Sequence, residues 1–234
     1  PYFQPIVSIA DGSVLVCEAL ARWPRQGRIL APGDFMDDLV QSGSLPALTQ
    51  RMLTASLTQL ADAGLGYATA VNVPPELLTA ELTSHIERAL AEAGVPADRL
   101  YLEVTETAIL RDPKSAAAVL HELREQGVRV LLDDFGTGWS GLSSLRDLGI
   151  DGLKLDYSFV SRLATDSATE AIVRGIASVA RDLGICVIYE GVEDPEVEAR
   201  VFEMPMGYAQ GFAVARPMPI SDLAAWQASR QAPV

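Results

Sequence analysis

The sequence predicts an α/β fold: an irregular TIM-type (β/α)8 barrel with one antiparallel strand near the N-terminus. Three observations lead there. Amphipathic helical segments alternate with short apolar runs, four of the junctions share the order helix, Gly, β-branched residue, and two apolar runs at the start are separated by Asp11-Gly12. Alternating helices and strands imply parallel neighbours joined by right-handed crossovers. Eight strands of nearly continuous apolar character favour closure, with an open doubly wound sheet as the other arrangement.

The first two strands are expected at Phe3–Ile9 and Ser13–Leu20, antiparallel because Asp-Gly is a hairpin signal. Six more follow at Gly66–Val73, Arg99–Val104, Val128–Asp134, Gly152–Asp156, Ile185–Glu190 and Tyr208–Val214. Helices are expected over 45–63, 80–93, 113–126, 167–183, 194–203 and 221–230. The four junctions read Glu92-Ala93-Gly94-Val95, Glu125-Gln126-Gly127-Val128, Asp147-Leu148-Gly149-Ile150 and Asp182-Leu183-Gly184-Ile185. Gly suits the left-handed position just past a helix end, and the β-branched residue suits the strand that follows. Pro96-Ala97-Asp98 delays the strand after the first of them. Asp112-Pro113 and Asp194-Pro195 each place an N-cap before a first-turn Pro, and Ser221 is expected to cap the last helix.

The 234 residues fit one such barrel, and no Pro/Gly/Ser-rich linker divides them, so residues 1–234 are expected to form a single domain. The opening Pro-Tyr-Phe-Gln-Pro-Ile-Val lacks the basic and apolar regions of a secretion signal and reads as the edge of a domain excised from a longer protein. No apolar run approaches the ~20 residues of a spanning helix, and the cytoplasm is the expected compartment. A net charge of −13 disfavours duplex nucleic acid, which is bound through basic surface. Cys17 and Cys186 sit in apolar runs and are expected as free, buried thiols.

The polar residues fall at strand ends. Glu18, Asn72, Glu103, Asp133 with Asp134, Lys154 with Asp156, Glu190 and Gln210 each close or interrupt an apolar run. In a parallel barrel these ends share one face, where active sites are built. Converged carboxylates repel, and Lys154 supplies a single positive charge. Divalent cations are the economical compensation, and an oxygen donor set without His or Cys favours Mg²⁺ or Mn²⁺ over Zn²⁺. His85 and His121 lie on expected helices as exposed residues. The number of carboxylates exceeds what one Mg²⁺ takes, and two ions can clamp the attacking and leaving oxygens of a phosphoryl displacement. Asp133 and Asp134 are adjacent and would face opposite ways in a regular strand, so both reach one site only if the strand ends there. Lys154 and Asp156, two apart, share a face.

At this point the sequence resembles the EAL-domain cyclic-di-GMP phosphodiesterases. The signature Glu18-Ala19-Leu20 continues as Ala21-Arg22-Trp23, and Tyr2-Phe3-Gln4-Pro5-Ile6-Val7 precedes it. Leu102-Glu103-Val104-Thr105-Glu106, Asp133-Asp134-Phe135-Gly136-Thr137-Gly138, Leu153-Lys154-Leu155-Asp156, Glu190-Gly191-Val192-Glu193 and Gln210-Gly211-Phe212 follow in order. The resemblance implies hydrolysis of the cyclic dinucleotide to linear pGpG in bacterial signalling. It implies Glu18, Asn72, Glu103 and Asp133 as ligands of a first metal, with Asp133 bridging to a second beside Asp134 and Glu190. Lys154 would hold or activate the nucleophilic water and Gln210 would position it. Gln4, Arg22 and Asp156 become substrate contacts, Arg22 to a phosphate. Glu106 resembles a glutamate that braces the loop after Asp134, a loop tied in the family to homodimerisation together with a neighbouring helix. Regulatory domains are implied outside this segment.

The sequence departs from the family pattern at Trp139 and Gly141 in that loop, at Gly207 where Asp is common, at Tyr189 where a small residue is usual, and at Val197 where Gln is frequent. None is an implied metal ligand. Two alternatives remain: a receptor that binds cyclic-di-GMP without cutting it, and a different barrel enzyme using one Mg²⁺ with a lysine base.

Overall fold

The computed structural model describes residues 1–136 and 149–231. Strands β1 (Tyr2–Ser8) and β2 (Val14–Leu20) are followed by a small hairpin, β3 (Trp23–Arg25) and β4 (Arg28–Leu30), and by helices α1 (Met36–Gln41) and α2 (Leu45–Asp62). Then come β5 (Thr69–Asn72), α3 (Ala80–Ala93), β6 (Leu100–Thr105), α4 (Glu106–Arg111), α5 (Pro113–Glu125) and β7 (Arg129–Phe135). The described chain resumes before β8 (Gly152–Leu155) and continues through α6 (Tyr157–Val160), α7 (Ser167–Asp182), β9 (Cys186–Tyr189), α8 (Pro195–Phe202), β10 (Tyr208–Ala209) and α9 (Ile220–Gln231).

Eight strands close into a barrel in the order β1, β10, β9, β8, β7, β6, β5, β2. β1 runs antiparallel to both neighbours, β2 and β10, and the other pairings are parallel. This is the irregular TIM-type barrel expected, closed rather than open. The helix-to-strand junctions obey one hydrogen-bond rule. Val95, Val128 and Ile185 each donate a backbone N–H to the carbonyl five residues back, on Leu90, Leu123 and Ala180, across Gly94, Gly127 and Gly184 at positive φ. That pattern satisfies carbonyls a helix end would leave bare and turns the chain into the next strand.

Several elements differ from expectation. The last strand stops at Ala209 instead of Val214. Beyond Gln210 the chain wraps Val192, with Val192 N–H donating to Gln210 and Ala213 N–H to Val192, and then tightens into a turn in which Ala215 N–H bonds Gly211. Gly211 lies so close to Val192 that a Cβ there would fall 2.2 Å from its carbonyl oxygen. Ser221 does not cap the last helix, which begins at Ile220; its hydroxyl instead bonds Asp222. The β3–β4 hairpin and the short helices α1, α4 and α6 lack the long periodic patterns that mark the other elements. Asp112 and Asp194 do cap, accepting from the N–H groups of Ser115 and Glu196. His121 is exposed on α5, whereas His85 on α3 is half-buried, 3.4 Å from the Gln50 amide. Cys17 is free and buried, and Cys186 is free and half-buried.

Two apolar clusters divide the core. The larger lies between strands and helices. The smaller fills the barrel interior with Ile6, Val16, Ala70, Tyr101, Leu131 and Ile188. Side chains two residues apart on a strand share a face. Each interior residue therefore has a partner one step further toward the mouth: Gln4, Glu18, Asn72, Glu103, Asp133 and Glu190. β8 obeys the same step with Gly152 and Lys154. A Cβ on Gly152 would lie 2.7 Å from Leu131 and 2.5 Å from the Cys186 sulfur, so glycine leaves that space to larger neighbours. An apolar layer thus forms the floor beneath a polar layer at the strands' carboxyl ends.

Candidate metal centre

Lys154 stands at the centre of the polar layer, 1% exposed. Its Nζ lies 2.8 Å from Glu190 Oε1, 3.0 Å from Glu103 Oε2, 3.3 Å from Asp133 Oδ1 and 3.5 Å from Glu18 Oε2. Burial opposes its charge, but Glu103, Glu18, Glu190 and Asp133 together outweigh it and hold the ammonium well above the usual lysine value. Asp156 does not join Lys154 as their spacing allowed; it caps α6 by accepting from Ser158 N–H. Its charge is nevertheless felt at Asp134.

One side of the ring is a chain of amides. Gln210 donates from Nε2 to Glu18 Oε2 at 2.6 Å and to Gln4 Oε1 at 3.3 Å, while Gln4 donates to the Ala215 carbonyl at 3.0 Å. Asn72 donates to Glu18 Oε1 at 2.8 Å. Both oxygens of Glu18 are therefore held. Burial would raise its carboxyl, yet Lys154, Gln210 and Asn72 bring it below the ordinary range. Glu103 is the opposite case. It is buried beside Glu18, Asp133 and Glu190, and burial with that repulsion pushes it well above the ordinary value despite Lys154. Burial, partly offset by Lys154, lifts Glu190 to about 7.

Asp133 and Asp134 reach one site, but not because the strand ends. β7 continues to Phe135, and its register with β8 shifts between Leu132 and Phe135. Asp134 takes φ +54 at that irregularity. A bulge of this kind re-aims a side chain that strict alternation would send to the far face. Ligand oxygens of Asp133, Asp134 and Glu190 all lie within 4.8 Å of one another. Burial and the charges of Asp133 and Asp156 raise the Asp134 carboxyl.

The donor set fits divalent cations. Glu103 Oε1 and Gln210 Oε1 are buried and accept no hydrogen bond among the described residues, while Glu103 Oε2 and Asp133 Oδ1 share the single Lys154 ammonium. Buried acceptors left this way are costly unless a cation engages them. All the candidate ligands are oxygens, the preference of Mg²⁺ and Mn²⁺. The site grades outward from buried Glu103 and Lys154 to exposed Asn72 and Asp134, so it opens toward the mouth.

At the rim, half-buried Arg22 bonds the Ala21 carbonyl and stacks 5.2 Å over the Tyr2 ring. The sequence carried no signal for that Tyr2 contact or for the Ala215 carbonyl that fixes Gln4. Beside the ring a cavity of about 300 Å³, lined by Leu20, Pro32, Met36 and Met52, reaches Asn72 and Glu103. Glu106 is buried and opens α4 directly after β6. The loop it was expected to brace, Phe135–Leu142, lies beyond Gly136 outside the described residues, and so do Trp139 and Gly141. Among the described residues no helix is long and apolar enough to cross a membrane.

The chain matches the EAL domain family over residues 1–217. It is 36% identical over 229 residues to the cyclic di-GMP phosphodiesterase NbdA of Pseudomonas aeruginosa, covering 95% of this chain and 29% of that protein. The solved structure of the PaMucR phosphodiesterase in complex with c-di-GMP superposes with a TM-score of 0.88 at 32% identity, covering 95% of this chain and 92% of that one. An EAL domain protein from Listeria monocytogenes superposes with a TM-score of 0.86 at 31% identity, covering 97% and 92%. The chain spans 28% to 57% of the length of curated relatives it matches. With its Glu18-Ala19-Leu20 signature on the second barrel strand and the carboxylate ring around Lys154, the chain belongs to the EAL-domain family.

Proposed function

We propose that this domain hydrolyses one phosphodiester bond of cyclic-di-GMP to linear pGpG, with two divalent cations, Mg²⁺ or Mn²⁺. The observation that carries the reading is the ring itself: Glu18, Glu103, Asp133 and Glu190 converge on a fully buried Lys154, with Asp134 turned into the same space. Relatives named cyclic di-GMP phosphodiesterases support the substrate.

Glu18, Asn72, Glu103 and Asp133 would hold one cation, and Asp133, Asp134 and Glu190 the second. Bound there, the cations would supply positive charge against the phosphate and lower the pKa of an attacking water. Lys154 holds its proton firmly and serves as a fixed positive charge that stabilises the developing nucleophile and the phosphorane-like charge. Gln210, fixed through its Nε2 by Glu18 and Gln4, keeps Oε1 free of hydrogen bonds and available to accept from that water. Arg22 binds a phosphate oxygen, and Gln4 and Asp156 border the substrate. Water adds to phosphorus and gives up a proton, one P–O bond to a ribose 3′ oxygen breaks, that oxygen takes up a proton to become the 3′ hydroxyl, and the product keeps a 5′ phosphate. We take the chain as a single cytoplasmic domain of a longer signalling protein, homodimeric through the loop after Asp134 and a neighbouring helix, with Glu106 bracing that loop.

Purified protein incubated with cyclic-di-GMP and Mg²⁺ or Mn²⁺ should yield pGpG, and Glu18→Ala should not. Tight binding without product would identify a receptor instead. Neither binding nor turnover would remove both readings.

A further inference from the structure

The β3–β4 hairpin leaves the carboxyl end of β2, on the barrel face that carries the metal centre. Residues 19–33 hold three arginines, Arg22, Arg25 and Arg28, and no Asp or Glu, in a chain of net charge −13. The hairpin turns through Gln26 and Gly27, both at positive φ, which sets Arg25 directly opposite Arg28. Like charges facing each other across a strand pair are destabilising. Both side chains are exposed, and neither forms an ion pair among the described residues. Arg25 lies 4.9 Å over the Trp23 ring, and Trp23, 40% exposed, packs edge-on against Phe35. The next segment, through Pro32 and Met36, walls the cavity that reaches Asn72 and Glu103.

An anionic substrate approaching this protein meets an acidic molecule and an acidic mouth. The hairpin carries positive charge at the rim, and its arginines, without an ion pair among the described residues, face each other as two halves of a phosphate clamp. Guanidinium groups match phosphate geometry and keep their charge at any working pH. We propose that Arg25 and Arg28 form a capture site for a phosphate of the dianionic substrate, which they concentrate at the mouth before it engages the metal centre. This rests on the phosphodiesterase reading. Charges at a rim act on encounter more than on the bound state, and they are screened beyond about 8–10 Å in physiological salt. Arg25 and Arg28 are therefore recruiting residues and take no part in the chemistry.

The test compares the wild type with Arg25→Gln/Arg28→Gln and Arg25→Lys/Arg28→Lys. Steady-state hydrolysis of cyclic-di-GMP is measured across a salt series, and association of a fluorescent cyclic-di-GMP analogue by stopped flow with Mg²⁺ present. The Gln variant should lose about 5- to 10-fold in kcat/KM and in association rate at low salt, with kcat unchanged and a flatter salt dependence. The Lys variant should keep most of both. The Gln variant should also match or exceed the wild-type thermal midpoint, because it removes a like-charge pair. Wild-type turnover with kcat/KM and salt slope unaltered in the Gln variant would overturn the capture site and leave the phosphodiesterase standing. A fall in kcat alone would assign the hairpin to the chemistry and also overturn it. A wild-type protein that neither binds nor hydrolyses the dinucleotide would instead remove the phosphodiesterase reading, and the capture site with it.

Discussion

The ring of Tyr189 occupies the space that a side chain on Gly207 would need. A Cβ at position 207 would lie 2.6 Å from Tyr189 Cε2 and 2.8 Å from the Val187 carbonyl oxygen, and Gly207 sits at φ +133. Tyr189 is fully buried, and its hydroxyl donates to the Met206 carbonyl at 3.1 Å. Two departures from the family pattern, a large residue at 189 and none at 207, are thus one packing solution. Gly207→Ala should cost about 2–3 kcal/mol through overpacking and backbone strain, and Tyr189→Ala about 3–5 kcal/mol through the cavity it leaves. Combined, they should cost less than their sum, because the alanine methyl enters space the ring vacated. Urea denaturation of the four proteins measures the coupling, and strict additivity would mean the positions are independent.

The two cysteines should be inert in the folded protein. Burial pushes the Cys17 thiol up to about 12, and burial reinforced by Asp151 does the same at Cys186. At pH 8 roughly one thiol in ten thousand is then ionised, and thiolate is the reactive form. A disulfide-exchange reagent should label both residues at least about a hundredfold more slowly in native protein than in urea. Rapid stoichiometric labelling without denaturant would show that one of them is open to solvent.

The polar layer was legible in the sequence because strands repeat every two residues. Val16 and Glu18, Ala70 and Asn72, Tyr101 and Glu103, and Ile188 and Glu190 are each a floor residue and a site residue on one face. Asp134 was less legible, since a bulge and a left-handed backbone, which alternation cannot encode, bring it round. The end of β10 was missed because the turn at Gly211 is set by contact with Val192, remote in sequence order from any local signal. The hairpin at Trp23–Leu30 was missed because two three-residue strands carry no periodicity to read. The substrate was read from the resemblance; the strand-end pattern alone reached only metal-assisted phosphodiester chemistry.

Lys154→Met should separate folding from chemistry. Without the ammonium, the ring keeps its carboxylates and loses the charge that offsets them, which should cost about 3–5 kcal/mol in metal-free protein. The cost should grow with pH. Lys154 holds both the Glu190 and Glu103 carboxyls down, so its removal raises them further; the variant then goes on losing stability with rising pH above about 7, where wild-type Glu190 has already ionised. Mg²⁺ should restore more stability to the variant than to the wild type, because metal and lysine compete for the same oxygens. Turnover should still fall by about a hundredfold or more. Denaturation at pH 5 and pH 8, with and without Mg²⁺, checks the first part, and a variant as stable as wild type at pH 8 without metal would contradict it.

Metal uptake should be proton-linked through Glu190. Its carboxyl titrates at about 7 in the metal-free protein, first because it is buried and then because Asp133 repels its charge, with Lys154 opposing both. A cation binds the ionised form, so metal and proton compete. The sign follows: apparent Mn²⁺ affinity rises as pH increases from about 6 to about 8 and levels off above, with protons released on binding. Titration calorimetry in two buffers of different ionisation enthalpy counts those protons. Glu190→Gln should weaken binding at pH 8 and flatten the dependence between pH 6 and pH 8. Affinity that stays constant over that range in the wild type would place Glu190 outside the metal centre.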